Sequence, residues 1–196
     1  LEGQQIGAYL LVTLDAGSQD ELDNMLEQMA ELVLDAGAMD VLVADTPAKI
    51  KDAWAARSSF LEAIMHETKL LDECDVVVPV NKIADYLDFV NKTGEDCGLV
   101  IKSFGHAGDG NLHIYQCSND LEEEAFKSRV DKFFEIIYKE ATNCGGLVSG
   151  EHGIGSGKIK YLVDSVGETN MALMEGIKRV FDPKMILNPG KVCYRL

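Results

Sequence analysis

The chain has 196 residues, 46% of them hydrophobic and 26% charged, which is typical of a globular protein with one large or two small domains. Its formal net charge of −15 argues against nucleic acid and anionic lipid as partners, and no apolar run reaches the roughly 18 residues of a transmembrane segment. The five cysteines are an odd number without a C-x-x-C pair, which argues against a disulfide framework or a thiolate zinc site and fits a cytoplasmic location.

The first third of the chain alternates strand and helix patterns. Residues 6–14 are apolar and partly β-branched, which predicts a buried strand. The chain opens almost inside this strand and without a Met, so we expect a segment of a larger protein. Three further predicted elements follow: a helix over 18–36, a strand over 39–44 and a helix over 46–66.

The remaining two thirds continue the alternation. The predicted elements are a strand over 75–79, a helix over 82–92, strands over 98–104 and 111–116, a helix over 121–141, a short helix near residue 159, and a helix over 168–181. This order predicts an α+β fold, with a ferredoxin-like antiparallel sheet that has helices on one face, and with an additional C-terminal helical segment.

Two glycine-rich segments, residues 105–113 and 150–155, contain three of the four histidines. Glycine permits positive φ angles and the close approach of a ligand. If the first segment is the turn of a hairpin, His106 and His113 converge, and Glu151 can add a carboxylate from the second segment. Two histidines and one carboxylate are a common ligand set for a catalytic divalent metal. His152 would then be available for acid–base chemistry.

The residues alone leave alternatives open. Asp109 either fixes a histidine tautomer or forms the turn. Arg57, three residues after Trp54 on one helix, is either a surface residue or a clamp for a carboxylate. The same histidines also suit a metal-dependent hydrolase, and a ferredoxin-like sandwich also suits a non-enzymatic ligand-binding module.

Three motifs resemble the signature of the C-terminal domain of FAD-linked oxidases. They are His-Ala-Gly-Asp-Gly-Asn-Leu-His at 106–113, Gly-Glu-His-Gly-Ile-Gly at 150–155 and Asn-Pro-Gly-Lys-Val at 188–192. The resemblance is to the branch with D-lactate dehydrogenases, the flavin subunit of glycolate oxidase and D-2-hydroxyglutarate dehydrogenase. The segments 54–57 and 75–79 fall where that family has similar residues, so the resemblance covers nearly the whole chain.

The resemblance implies that residues 1–196 are the C-terminal substrate-binding (cap) domain of a flavin-dependent D-2-hydroxy acid dehydrogenase of glycolate or D-lactate type. Such an enzyme oxidises a 2-hydroxy acid to a 2-oxo acid with hydride transfer to FAD. FAD is held mainly by a separate N-terminal domain, which has no counterpart in this chain. We therefore expect the fragment to be inactive alone and to expose an apolar or glycine-rich face.

The family roles carry over to this chain by motif. His106, His113 and Glu151 would bind a divalent metal, zinc, iron or manganese, which polarises the substrate hydroxyl and carboxylate. His152 would take the hydroxyl proton while hydride leaves for the flavin. An electron-transfer flavoprotein or an iron–sulfur subunit is a further partner that the resemblance suggests.

The resemblance also implies two residues near the substrate, and the chain differs from the family pattern at two positions. Arg57 would hold the substrate carboxylate, and Asn188 would lie near flavin or substrate. The family often has Asn where this chain has Tyr115, and members that take dicarboxylates have Lys where this chain has Glu73. Because an acidic residue would repel a second carboxylate, we expect a small monocarboxylate such as lactate or glycolate.

Overall fold

The computed structural model describes residues 6–193, and the chain divides into two compact units, Leu1–Ser58 and Ser59–Leu196. The first unit contains α1 (Gln19–Asp35) and α2 (Pro47–Ser58). The elements of the second unit, in chain order, are α3 (Phe60–Glu67), β1 (Leu70–Val77), a 3-10 turn (Val80–Lys82), α4 (Ile83–Cys97), β2 (Val100–His106), β3 (Asn111–Ser118), α5 (Glu123–Asn143) and α6 (Ile159–Phe181).

In the first unit the structure confirms the first predicted helix but not the strands beside it. The Oγ of Ser18 accepts a hydrogen bond from the Glu21 N–H at 3.3 Å, and the Glu21 carboxylate accepts one from the Gly17 N–H at 3.0 Å, as the capping box predicts. The predicted strands over 6–14 and 39–44 are wrong, since these residues form no ladder within the described chain. An apolar run indicates surface that must be covered, but a strand also requires a neighbour with which to pair.

The second unit is built on a three-stranded antiparallel sheet in the order β1-β3-β2. With α4 between β1 and β2, and α5 after β3, this is the β-α-β-β-α part of a ferredoxin-like fold. An isolated antiparallel bridge between Val77 and Leu147 lies at the edge of β1, where that fold has its fourth strand. The α+β prediction with a ferredoxin-like sheet is therefore confirmed.

Helices α4 and α5 cover one face of the sheet and enclose the main core. Every second residue of each strand points to this side, and Val76, Ile114 and Phe133 are completely buried there. The Tyr86 hydroxyl on α4 donates to the Ile137 carbonyl on α5 at 2.9 Å, so the large ring is buried with its polar atom satisfied. The opposite face of the sheet is not covered by these two helices.

The predicted helices near the C-terminus meet in one element. The span α6 contains both the short helix predicted near residue 159 and the helix predicted over 168–181, which meet at a kink at Gly167, where φ is 76°. The predicted helix over 46–66 is instead two helices, α2 and α3, separated at Ser59. Within residues 6–193, none of the helices combines the length and the apolar composition that crossing a bilayer requires.

Candidate functional site

The β2–β3 hairpin brings the first pair of histidines together, as the sequence predicts. His106 ends β2, His113 lies in β3, and their ring centroids are 5.9 Å apart. The Asp109 carboxylate accepts a hydrogen bond from the Asn111 N–H at 3.0 Å, so Asp109 forms the turn. The Gly110 backbone has a φ of +79° at the end of this turn.

The strand pairing gathers ionisable groups on the face of the sheet opposite α4 and α5. In the register of the sheet, Glu73 of β1 is opposite Tyr115 of β3, and Asp75 is opposite His113. Since side chains alternate between the two faces of a strand, all four project from the same face. Phe104 of β2 lies on the other side of His113 and stacks on Tyr115 at 5.1 Å between ring centroids.

The second glycine-rich segment is held against this face by Asp75. One carboxylate oxygen, Oδ2, accepts hydrogen bonds from the N–H groups of Gly150, Glu151 and His152 at 2.8, 2.8 and 3.0 Å. The Lys158 ammonium forms an ion pair with the other oxygen. Burial acts to raise the pKa of Asp75, but the His152 N–H, the Lys158 ammonium and the Glu151 N–H outweigh it and hold this pKa below its ordinary value.

The predicted metal ligands converge at one point. The Nε2 of His113 lies 3.0 Å from a carboxylate oxygen of Glu151. One ligand atom from each of His106, His113 and Glu151 lies within 4.8 Å of the other two, a spacing that suits a single cation. The His113 side chain is only 6% exposed, whereas His106 and Glu151 are exposed, so this group opens towards solvent.

Glu73 faces the opposite edges of two imidazoles. Its Oε1 lies 3.3 Å from the Nδ1 of His113 and 3.5 Å from the Nδ1 of His152, and it accepts a hydrogen bond from the Tyr115 hydroxyl at 3.1 Å. The rings of His113 and His152 lie 4.9 Å apart, tilted by 35°. Glu73, His113 and His152 thus form a second group whose ligand atoms lie within 4.8 Å of one another, as the ligands of one cation can. This group shares His113 with the first group.

The other two predicted site residues are not members of these groups. Arg57 is in the last turn of α2, in the first unit. Asn188 is exposed in the tail after α6 and has a φ of 46°. That tail is tied to the second glycine-rich segment, because the Val192 N–H donates to the Gly155 carbonyl at 2.7 Å. The roles of Arg57 and Asn188 stay predictions.

Sequence reasoning missed much of the support around the histidines. It identified Glu73 and Tyr115 only as departures from a family pattern, and Asp75 only as part of a strand, and it gave Lys158 no role. One signal was available: β1 carries three acids, Asp72, Glu73 and Asp75, of which the last two stand two positions apart. This spacing places both carboxylates on one face, where an ordinary core would bury apolar side chains.

Comparisons with known proteins find one family model and several relatives. The family model described as FAD linked oxidases, C-terminal domain, matches residues 2–192. The chain is 60% identical to a D-lactate dehydrogenase of Anaerostipes hadrus, covering 100% of this chain and 41% of that protein. It is 37% identical to a D-lactate dehydrogenase of Archaeoglobus fulgidus, covering 96% and 40%, and 33% identical to the glycolate oxidase subunit GlcD of Bacillus subtilis, covering 94% and 39%. The chain therefore spans about two fifths of the length of these relatives.

Proposed function

The chain belongs to the family of C-terminal domains of FAD-linked oxidases, and on that premise we propose that it is the substrate- and metal-binding domain of a flavin-dependent D-2-hydroxy acid dehydrogenase. In this proposal residues 1–196 form the cap domain, and a separate N-terminal domain holds the flavin. FAD, when bound there, supplies the acceptor for the hydride that leaves the substrate Cα. The observation that carries the proposal is the convergence of His106, His113 and Glu151 with His152 beside them.

We assign the metal to His106, His113 and Glu151. A neutral imidazole has one N–H, so when the Nδ1 of His113 donates to Glu73, its Nε2 presents a lone pair to the Glu151 carboxylate. A cation stabilises such an arrangement, and a carboxylate behind a ligating histidine is common at metal sites. Within residues 6–193 the buried His113 Nδ1 has no hydrogen bond of good geometry, and the Glu73 Oε1 that faces it at 3.3 Å is the acceptor that a small shift would engage. A divalent zinc, iron or manganese ion bound here supplies a Lewis acid for the substrate hydroxyl and carboxylate.

His152 is the proposed acceptor of the substrate hydroxyl proton. Its Nδ1 lies near Glu73 and Asp75, at 3.5 and 3.9 Å, and a carboxylate there holds the proton on Nδ1. The Nε2 is then the basic atom. The side chain is 43% exposed, so a substrate can reach it. This leaves His152 outside the ligand set and available for proton transfer.

The proposed substrate is a small 2-hydroxy monocarboxylate, such as D-lactate or glycolate. Glu73 supports this choice, because its carboxylate lies among the site imidazoles and would repel a second substrate carboxylate. Arg57 is the proposed partner of the single carboxylate, and Asn188 is proposed to lie near flavin or substrate. An electron-transfer flavoprotein or an iron–sulfur subunit is a proposed further partner. We propose a cytoplasmic location, which the free thiols of all five cysteines support.

The proposal is tested by the metal content and the substrate preference of the full-length enzyme. Plasma mass spectrometry of the wild type should find about one zinc, iron or manganese ion per chain, and His106→Ala/His113→Ala should lose it. The kcat/KM for D-lactate or glycolate, with a dye as acceptor, should exceed that for D-2-hydroxyglutarate. His66→Ala is the matched control, because His66 lies exposed on α3, outside both ligand groups.

Each part of the proposal has a contradicting outcome. A wild-type enzyme without metal would remove the ligand assignment, and a clear preference for D-2-hydroxyglutarate would remove the monocarboxylate assignment. Turnover of an ester or amide by this chain without flavin would instead favour the metal-dependent hydrolase. Full activity of the histidine variant would favour a ligand-binding module that takes no part in the chemistry.

A further inference from the structure

Asp75 is a charged side chain in a completely buried position. It lies on β1 with 0% of its surface exposed, between the apolar Cys74 and Val76. Burying a carboxylate is costly unless ion pairs and hydrogen bonds replace its water. Here the replacement is complete for both oxygens, since the Ser149 hydroxyl and the Lys158 ammonium join the three backbone N–H groups already described.

The hydrogen bonds to Asp75 fix the backbone of two consecutive site residues. The N–H groups of Glu151 and His152 both point at Oδ2, together with that of Gly150. This fixes the directions in which the two side chains leave the backbone, so that both face the His113 ring. A loop without such an anchor would sample many orientations, because glycines flank these two residues.

Asp75 also joins the second segment to the strand that carries His113. In the register of the sheet, Asp75 and His113 are direct cross-strand partners. One residue therefore fixes the position of Glu151 relative to the Nε2 of His113, which is 3.0 Å away. A second connection runs through Lys158, which also donates to the Asp75 carbonyl at 3.2 Å and immediately precedes α6.

We propose that Asp75 is the positioning residue of this site: its buried carboxylate holds the Glu151–His152 backbone so that a metal ligand and a proton acceptor face His113 and Glu73. The inference rests on the proposed function for the tasks of Glu151 and His152. Asp75 itself acts through backbone amides, because its carboxylate already accepts hydrogen bonds from those amides, from Ser149 and from Lys158. Removing its charge should therefore loosen the segment and weaken metal binding together.

The test compares Asp75→Asn with Val76→Ala in the full-length enzyme. Asparagine keeps the volume but has one oxygen, which is too few for three amides, a hydroxyl and an ammonium. Val76→Ala is the matched control, because Val76 is the next residue on β1, is equally buried, and points to the core under α4 and α5. Both variants lower the thermal midpoint, but only Asp75→Asn touches the site.

Two measurements decide the proposal. In Asp75→Asn, amide hydrogen exchange of a peptide covering residues 149–153 should become at least about tenfold faster, and manganese affinity by equilibrium dialysis should fall about 10- to 100-fold. Val76→Ala should leave both close to the wild-type values. If Asp75→Asn fails to fold, Asp75→Asn/Lys158→Gln removes the unpaired ammonium and is measured in its place.

The outcomes separate this inference from the proposed function. Equal effects of Asp75→Asn and Val76→Ala on exchange and on metal affinity would overturn the inference, because Asp75 would then stabilise the fold and no more. A wild-type enzyme that binds neither manganese nor zinc nor iron would overturn the proposed ligands and, with them, the positioning of a metal ligand. Metal binding by the wild type, with unchanged exchange at 149–153 in the variant, would overturn the inference alone.

Discussion

At the scale of single residues, the proposed function gives two neighbours in the sequence different tasks. Glu151 and His152 are adjacent, yet the Glu151 carboxylate faces the Nε2 of His113 at 3.0 Å, whereas the His152 ring lies against the His113 ring and turns its Nδ1 to Glu73. Both residues depend on the same backbone anchor. We therefore expect a substitution of the His152 side chain to separate proton transfer from metal binding without moving the segment.

We expect His152→Gln to lower kcat about 10²- to 10⁴-fold with the metal retained, because positioned proton transfer contributes about that much to catalysis. Glu151→Gln should instead lower metal content and activity together. The measurement is kcat for D-lactate beside metal per chain, on the full-length enzyme. Loss of metal in His152→Gln would show that His152 is a ligand, and would favour the group that contains Glu73.

A second prediction concerns substrate choice at Glu73. Two like charges near 4 Å repel by about 1 kcal/mol or more, so Glu73→Gln should raise the ratio of kcat/KM for D-2-hydroxyglutarate to that for D-lactate at least about fivefold. The ratio isolates the effect of the charge, because any disturbance of His113 and His152 lowers kcat/KM for both substrates and leaves their ratio unchanged. Glu67→Gln is the control, since Glu67 is exposed and forms an ion pair with Lys102. An unchanged ratio in Glu73→Gln would contradict the monocarboxylate assignment.

At the scale of elements, the sequence predicted the hairpin but not the composition of the face on which it lies. The glycines and Asp109 marked the β2–β3 turn, and two strand patterns flanked it, so the convergence of His106 and His113 followed. The partnership of Glu73 and Asp75 with His113 depends on the register of β1 against β3. That register is set by packing between residues about 40 positions apart, which a local pattern does not contain.

The turn of this hairpin also gives a stability prediction. A Cβ on Gly110 would lie 1.9 Å from the Val78 carbonyl oxygen, and the φ of +79° disfavours any other residue. Gly110→Ala should therefore lower the free energy of unfolding by about 2–4 kcal/mol, the sum of backbone strain and steric overlap. In Gly108→Ala, a Cβ meets nothing within 4 Å, so the loss should stay within about 0.5 kcal/mol. Urea unfolding followed by circular dichroism compares them, and equal midpoints would contradict the strain argument.

At the scale of the whole molecule, part of the described surface is apolar. Apolar side chains at helical spacing, Leu173, Ile177 and Phe181, are exposed along α6. Such a stripe is unusual on a surface that faces only water. That it faces a flavin-binding domain stays a prediction. Several apolar residues of 6–14 are also exposed, although the sequence predicted a buried strand there. An apolar pattern predicts that a surface is covered, but it does not identify what covers it.

The last prediction follows from the division of chemistry in the proposed enzyme. Imidazoles and carboxylates move protons and hold cations, but none of the twenty side chains accepts a hydride, so oxidation of a 2-hydroxy acid requires a redox cofactor, which in the proposed enzyme is the flavin. The chain corresponds to about two fifths of its relatives' length. We therefore expect the 196-residue chain, with FAD and manganese added, to reduce no dye with D-lactate, whereas the full-length enzyme does so.

The same preparation should still bind manganese, because His106, His113, Glu151 and their anchor all lie within the Ser59–Leu196 unit. Metal binding without turnover is thus the expected combination, and manganese retention shows that an inactive sample is folded. Dye reduction by the isolated chain would contradict the assignment of flavin binding to a separate domain. Hydrolysis of an ester by the same preparation would show that the histidines perform a chemistry that needs no flavin, and the proposed dehydrogenase would give way to the hydrolase.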